Sequence, residues 1–271
     1  MPLSPVDMLI AEYLYRGRGW ARVARVSITT LVSVALFMGL EYLLGVSIIG
    51  LPRILDPMTR EGVIAEGISL LTLIAMQFLI FWVVDAILLS RSFLVKLADS
   101  NPNWDTKVLA RHNARLGLPP AYAVTWLNLQ LVAERTRWVS GLVWYPSSLL
   151  IATVAFTLLV EPGQLGFANS VLILLWSAGM VVTASAMLRQ SAERWRARLQ
   201  RTIADDRTGE LGRGAAGAAA AAQLALLSDR IGALDAGAFA PFSQQPPIRA
   251  VIVPAITYLT TYGIQFLHLG S

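Results

Sequence analysis

Three polar side chains interrupt otherwise apolar runs, and these are the residues that could do chemistry inside lipid. Glu41 stands in ALFMGLEYLLGVSIIG, and Gln77 and Asp85 stand in LTLIAMQFLIFWVVDAILLS. A charged carboxylate in mid-bilayer costs about 2.5–3.5 kcal/mol on insertion scales, so it must be protonated, paired or turned to a polar interior. Counted from the ends of their runs, Glu41 and Gln77 both fall ~15 Å from one boundary at 1.5 Å per residue. The matched depth predicts a Glu41–Gln77 hydrogen bond of structural character, worth ~0.6–2 kcal/mol. Proton or ion handling is the alternative. Asp85 falls ~8 Å inside the opposite boundary, where Arg91, Arg189 or Arg249 would pair with it. A second polar group, Thr257, Tyr258, Thr261, Tyr262 and Gln265, lines the last apolar run and implies a helix packed among other helices.

Other chemistry finds little support. The chain has no cysteine, which excludes disulfides and thiolate catalysis. Its two histidines, His112 and His268, stand far apart in sequence, and no metal site is expected of them. There is no glycine-rich phosphate loop, no HExxH and no nucleophile elbow. Asp205, Asp206 and Glu210 read as solvated charge near a helix end. No catalytic residue, cofactor or metal is therefore expected.

The elements that would position these residues follow from composition. Of 271 residues, 55% are hydrophobic and 14% charged, against about 25% charged in ordinary soluble domains. Apolar runs at 27–50, 67–90, 141–160, 166–188 and 250–269 each approach the ~20 residues that cross hydrocarbon as a helix. Of the 22 basic residues, four lie before the first run, seven in 91–140 and nine in 189–249, leaving Arg53 and Arg60 opposite. That asymmetry places the N-terminus and both long loops in the cytoplasm and the C-terminus outside. It also makes the arginines a topology signal, which argues against nucleic acid as a partner.

Between the runs, 5–26 reads as one amphipathic helix on the inner surface. Arg16, Arg18, Arg22 and Arg25 would face anionic lipid there, and Tyr13, Tyr15 and Trp20 would sit at headgroup level. Val124, Leu127, Leu131 and Trp138 repeat at helical spacing after Pro119-Pro120. Trp195, Leu199 and Ile203 form a stripe on a helix continuing from the fourth run. Ala178, Val182 and Ala186 would let that run approach a neighbour closely. The alanine-rich 214–234 reads as a helix that does not cross, and the prolines of 237–249 impose an extended connector.

The expectation is an all-α polytopic bundle of about five transmembrane helices with a small helical cytoplasmic layer. Its parts are an amphipathic segment (1–26), a first hairpin (27–90), a helical loop (91–140), a second hairpin (141–188), a helical segment with a proline-rich connector (189–249) and a fifth membrane segment (250–271). The composition suits a bacterial inner membrane. The expected role is a non-enzymatic scaffold or regulatory partner acting through the cytoplasmic loops. The alternative is a subunit of an oligomeric channel or small transporter built around Glu41 and Gln77. The expected partners are the lipid bilayer and a protein, either another chain or a second copy of this one.

Overall fold

A computed structural model describes residues 5–44, 60–100, 104, 109–110, 120–142, 145, 148 and 167–241. All regular structure among them is helical: α1 (Pro5–Arg16), α2 (Gly19–Leu44), α3 (Arg60–Ser100), α4 (Pro120–Leu142), α5 (Phe167–Gly212), α6 (Ala215–Gly232) and a 3-10 turn at Gly237–Phe239. The expected fifth run, with Thr257, Tyr258, Thr261, Tyr262 and Gln265, lies outside the described residues. So does most of the third.

The chain divides into two compact units. The first gathers Met1–Gly17, Ile87–Ser140 and Ser185–Gln245; the second gathers Arg18–Ala86, Gly141–Ala184 and Pro246–Ser271. Two helices are long and apolar enough to cross a membrane, with candidate spans Gly19–Leu40 and Leu70–Ser100. Neither follows the expected limits. The second span does not end in a loop at Ser90, because α3 runs 41 residues to Ser100. The single helix expected over 5–26 is broken, because glycines flank Arg18 on both sides. Glycine costs a helix about 1 kcal/mol relative to alanine. α1 accordingly closes with the Gly17 N–H donating to the Tyr13 carbonyl at 2.9 Å, and α2 restarts at Gly19.

In the second unit α2 has an inverted pattern. Val26, Thr30, Ser33 and Val34 are buried at helical spacing, while Ile28, Leu31, Val32 and Leu36 are each more than half exposed. In water such a helix would turn its large apolar groups to solvent and its hydroxyls inward. In lipid the arrangement is the economical one: bulky side chains face acyl chains, and small or polar ones face the neighbouring helix.

The first unit has an ordinary apolar core. Ile87, Leu94 and Leu97 of α3, Leu129 and Val132 of α4, and Leu227 and Ile231 of α6 are almost fully buried. Pro120 opens α4 at the first helical position, where its missing N–H is no loss. The buried face of α4 follows the expected stripe only in part: Leu127 is inside together with Ala123, Trp126, Leu129, Val132, Ala133 and Thr136, whereas Trp138 is 75% exposed. On α5 the buried small residues are Ser177 and Ala184 in the second unit and Ser185 and Ala192 in the first. Ala186, expected on that face, is exposed. Both errors have one origin, since a face inferred from apolar spacing alone can rotate by a residue when small or polar residues pack best.

Two contacts close this unit. Thr136 Oγ1 donates to the Val132 carbonyl at 2.7 Å and accepts the Ala238 N–H at 2.8 Å. Gly237 takes φ +59, and a Cβ there would collide with the Ala133 carbonyl and Thr136. Arg196 donates to the Leu234 carbonyl, and its guanidinium lies 4.9 Å over the Phe239 ring.

Thr136→Val should therefore leave a buried N–H unpaired and lower unfolding stability by about 1–3 kcal/mol, read as a reduced melting midpoint in detergent. Gly237→Ala should lower it further, because the added methyl meets backbone.

Candidate functional site

The polar groups of the second unit belong to three helices. Asp85 on α3 pairs with both Arg22 and Arg25 on α2, each at 3.2 Å. Arg22 also donates to the Trp82 carbonyl at 2.6 Å and stacks 4.0 Å over the Trp82 ring. Its side chain is 14% exposed and that of Asp85 21%, so the pair is largely withdrawn from solvent. This corrects the expected partners of Asp85, which were Arg91, Arg189 and Arg249. It also gives Arg22 and Arg25 an internal role beside the expected lipid contact.

These contacts set the register. From Arg25 to Leu44 is ~29 Å of helix and from Arg60 to Asp85 ~38 Å. Were α2 and α3 parallel, Leu44 and Arg60 would lie ~66 Å apart, beyond the ~58 Å that the intervening chain can reach fully extended. The helices are antiparallel. Phe37 and Trp176 meet edge-to-face at 6.1 Å, linking α2 to α5.

Gln77 is completely buried, and its Nε2 donates to Ser177 Oγ of α5 at 3.3 Å. Its Oε1 has no partner among the described residues, nor do the buried hydroxyls of Thr30 and Ser33. By the register above, Gln77 lies level with about residues 30–33 of α2. Glu41 stands ~12–17 Å farther along that helix. Its side chain lies outside the described residues. The depth match expected from the sequence assumed that both runs end at one boundary, whereas the Asp85 contacts shift one helix along the other.

In the first unit the charged groups also tie helices together. Lys96 of α3 donates to Glu12 of α1 at 2.5 Å, and Arg16 approaches the same carboxylate at 2.9 Å. The Lys96 hydrogen bond holds the Glu12 carboxyl below its ordinary 4.5, against a weaker opposing contribution from desolvation. Tyr13 packs on Phe93 at 5.0 Å, with the Arg135 guanidinium 5.1 Å over its ring. Arg91 donates to Ser191, and Arg198 lies 3.6 Å from Asp99. Tyr122 donates to Asp206 at 2.7 Å; burial, then that carboxylate, pushes its phenol up to about 12. Asp206, expected to be merely solvated, is thus a helix-to-helix acceptor. Sequence spacing held no signal for these pairs, which are remote in the chain.

An open cleft of about 230 Å³ lies along α5 and α6, lined by Ile203, Ala204, Arg207, Thr208, Leu211 and Ser228. No group of three or more metal-ligating side chains occurs among the described residues.

No protein-family model, curated protein or solved structure matches this chain.

Two outcomes test the geometry. Asp85→Asn should cost about 1–3 kcal/mol in unfolding stability, as for other hydrogen bonds to charged groups. Combined with Arg22→Gln it should cost clearly less than the sum, because both changes remove one contact; additive losses would show that the pair does not hold. The second outcome concerns pH. Glu12 has a lowered folded pKa, so its contribution is present above 4.5 and lost as pH falls through the folded value. A nitroxide on α1 should gain mobility on acidification below 4.5, and Glu12→Gln should be mobile already at neutral pH and insensitive to acid.

Proposed function

We propose that this chain is an integral membrane protein that acts as a scaffold or regulatory partner through its first unit, on the cytoplasmic side of a bacterial inner membrane. In this reading the N-terminus is cytoplasmic and the C-terminus periplasmic. The observation that carries it is the cleft along α5 and α6. Leu211 is 55% exposed on its lining, and Arg207 contributes a cation. An apolar floor with a basic margin suits an amphipathic segment bearing acids. The surrounding charges support a binding role, because Glu12, Lys96, Asp99, Arg196, Arg198 and Asp206 each hold one helix to another part of the unit.

A second reading, the subunit of an oligomeric channel or small transporter, draws on the buried amide of Gln77 and its partnerless Oε1. Glu41 would then join it along a polar path, and several copies would be needed to enclose a pore.

A photo-crosslinking residue at Thr208 in cells discriminates the two. The scaffold reading expects a discrete adduct from Thr208 that Arg207→Glu abolishes, and none from Leu36. Ion flux in vesicles holding the purified protein, lost in Gln77→Leu while folding persists, together with no adduct at Thr208, would transfer the assignment to the channel.

A further inference from the structure

Three buried oxygens of the second unit lie near one level. Gln77 of α3 is fully buried, and Thr30 and Ser33 of α2 are 2% and 5% exposed. Gln77 Oε1, Thr30 Oγ1 and Ser33 Oγ all lack a hydrogen-bond partner among the described residues. The antiparallel register set by Asp85 with Arg22 and Arg25 puts Gln77 level with about residues 30–33. A second chain of contacts leads to the same region. Gln77 Nε2 donates to Ser177 of α5, and the neighbouring Trp176 meets Phe37, about one turn beyond Ser33.

Their direction follows from helical geometry. At 100° per residue, Arg22, Ser33, Phe37 and Thr30 fall in that order within ~80° of one face of α2. Arg22 reaches α3 and Phe37 reaches α5. Ser33 therefore points toward the seam between those two helices, with Thr30 beside it. One carbonyl acceptor and two hydroxyls thus face the junction of α2, α3 and α5. Buried polar atoms are rarely left unpaired, because withdrawal from water without a new partner is costly.

We propose that the junction of α2, α3 and α5 binds water, one molecule bridging Gln77 Oε1 to the Thr30 and Ser33 hydroxyls. A water that donates to the Gln77 carbonyl and to one hydroxyl, and accepts from the other, makes the about three bonds usual for a buried water. It satisfies the Gln77 amide in either orientation. An ion fits worse. All three groups are neutral, and Asp85 with its two arginines leaves a net positive charge ~12 Å along α3, which opposes a cation. An anion would face the lone pairs of Oε1. The site rests on this geometry and on neither functional reading.

The test is water-edited solid-state NMR on the full chain, isotope-labelled and held in lipid bilayers. The Gln77 side-chain amide is assigned by its loss in Gln77→Leu. Magnetisation from water should reach Gln77 Nε2 several-fold faster than the backbone amides of Leu73 and Ile80, which are buried about one turn to either side. Ser33→Ala should slow that transfer, and Thr30→Val with Ser33→Ala should bring Gln77 down to the rate of Leu73. A Gln77 amide as dry as Leu73 in the unmutated chain would overturn the proposal, as would fast transfer that survives loss of both hydroxyls. A Gln77 signal that moves when sodium replaces potassium would assign the junction to a cation instead. Ion flux is measured on the same preparation in vesicles. Flux with a dry Gln77 would sink the water site and keep the channel reading; a wet Gln77 without flux would do the reverse.

Discussion

The carboxylate of Asp85 is the contact on which the second unit depends. It stands on an apolar helix where an isolated charge is expensive. Arg22 and Arg25 both reach it, and Arg22 spends further donors and its flat face on Trp82. Such a cluster tolerates little sliding, because moving α2 by one turn past α3 would separate every one of these groups. It therefore sets which residues of α2 stand level with Gln77. The small and hydroxyl-bearing face of Val26, Thr30 and Ser33 then turns inward and the leucines and isoleucine turn out.

That inverted helix contrasts with the packing of the first unit. In the first, Leu94, Leu97, Leu129, Leu227 and Ile231 are buried, as the hydrophobic effect requires of helices in water. In the second, α2 keeps small and hydroxyl-bearing side chains inside and large apolar ones outside, the pattern expected of a helix that faces lipid. Gln77 illustrates the cost. It is fully buried, has one weak bond to Ser177, and leaves its carbonyl oxygen without a partner among the described residues. An amide so placed is either a register device or part of the chemistry, and its stability and activity effects separate the two.

α3 contributes to both units. Over 41 residues it carries Gln77 and Asp85, then Arg91, Phe93 and Lys96. It meets α2 and α5 in one unit and α1 and α5 in the other. In the second unit Gln77 donates to Ser177 of α5, and in the first Arg91 donates to Ser191 of α5.

Much of this was legible in the chain alone. Apolar content and its segregation from charge announced an all-helical protein with helices able to cross a membrane, because those signals are local and need no neighbour. The helix after Pro119-Pro120, the extension beyond Leu188 and the alanine-rich α6 were likewise readable from propensity and spacing. The packed faces and the charge pairs were not. Asp85 has arginines near it in sequence, yet its partners come from sixty residues away on α2. Trp138 fits an apolar stripe but lies outside it. The break at Arg18 depends on two glycines whose cost a longer apolar pattern conceals. Periodicity states that a helix has a face; only packing against α3, α4 and α5 decides which residues occupy it, because small volume changes and a few long-range charge contacts outweigh average hydrophobicity.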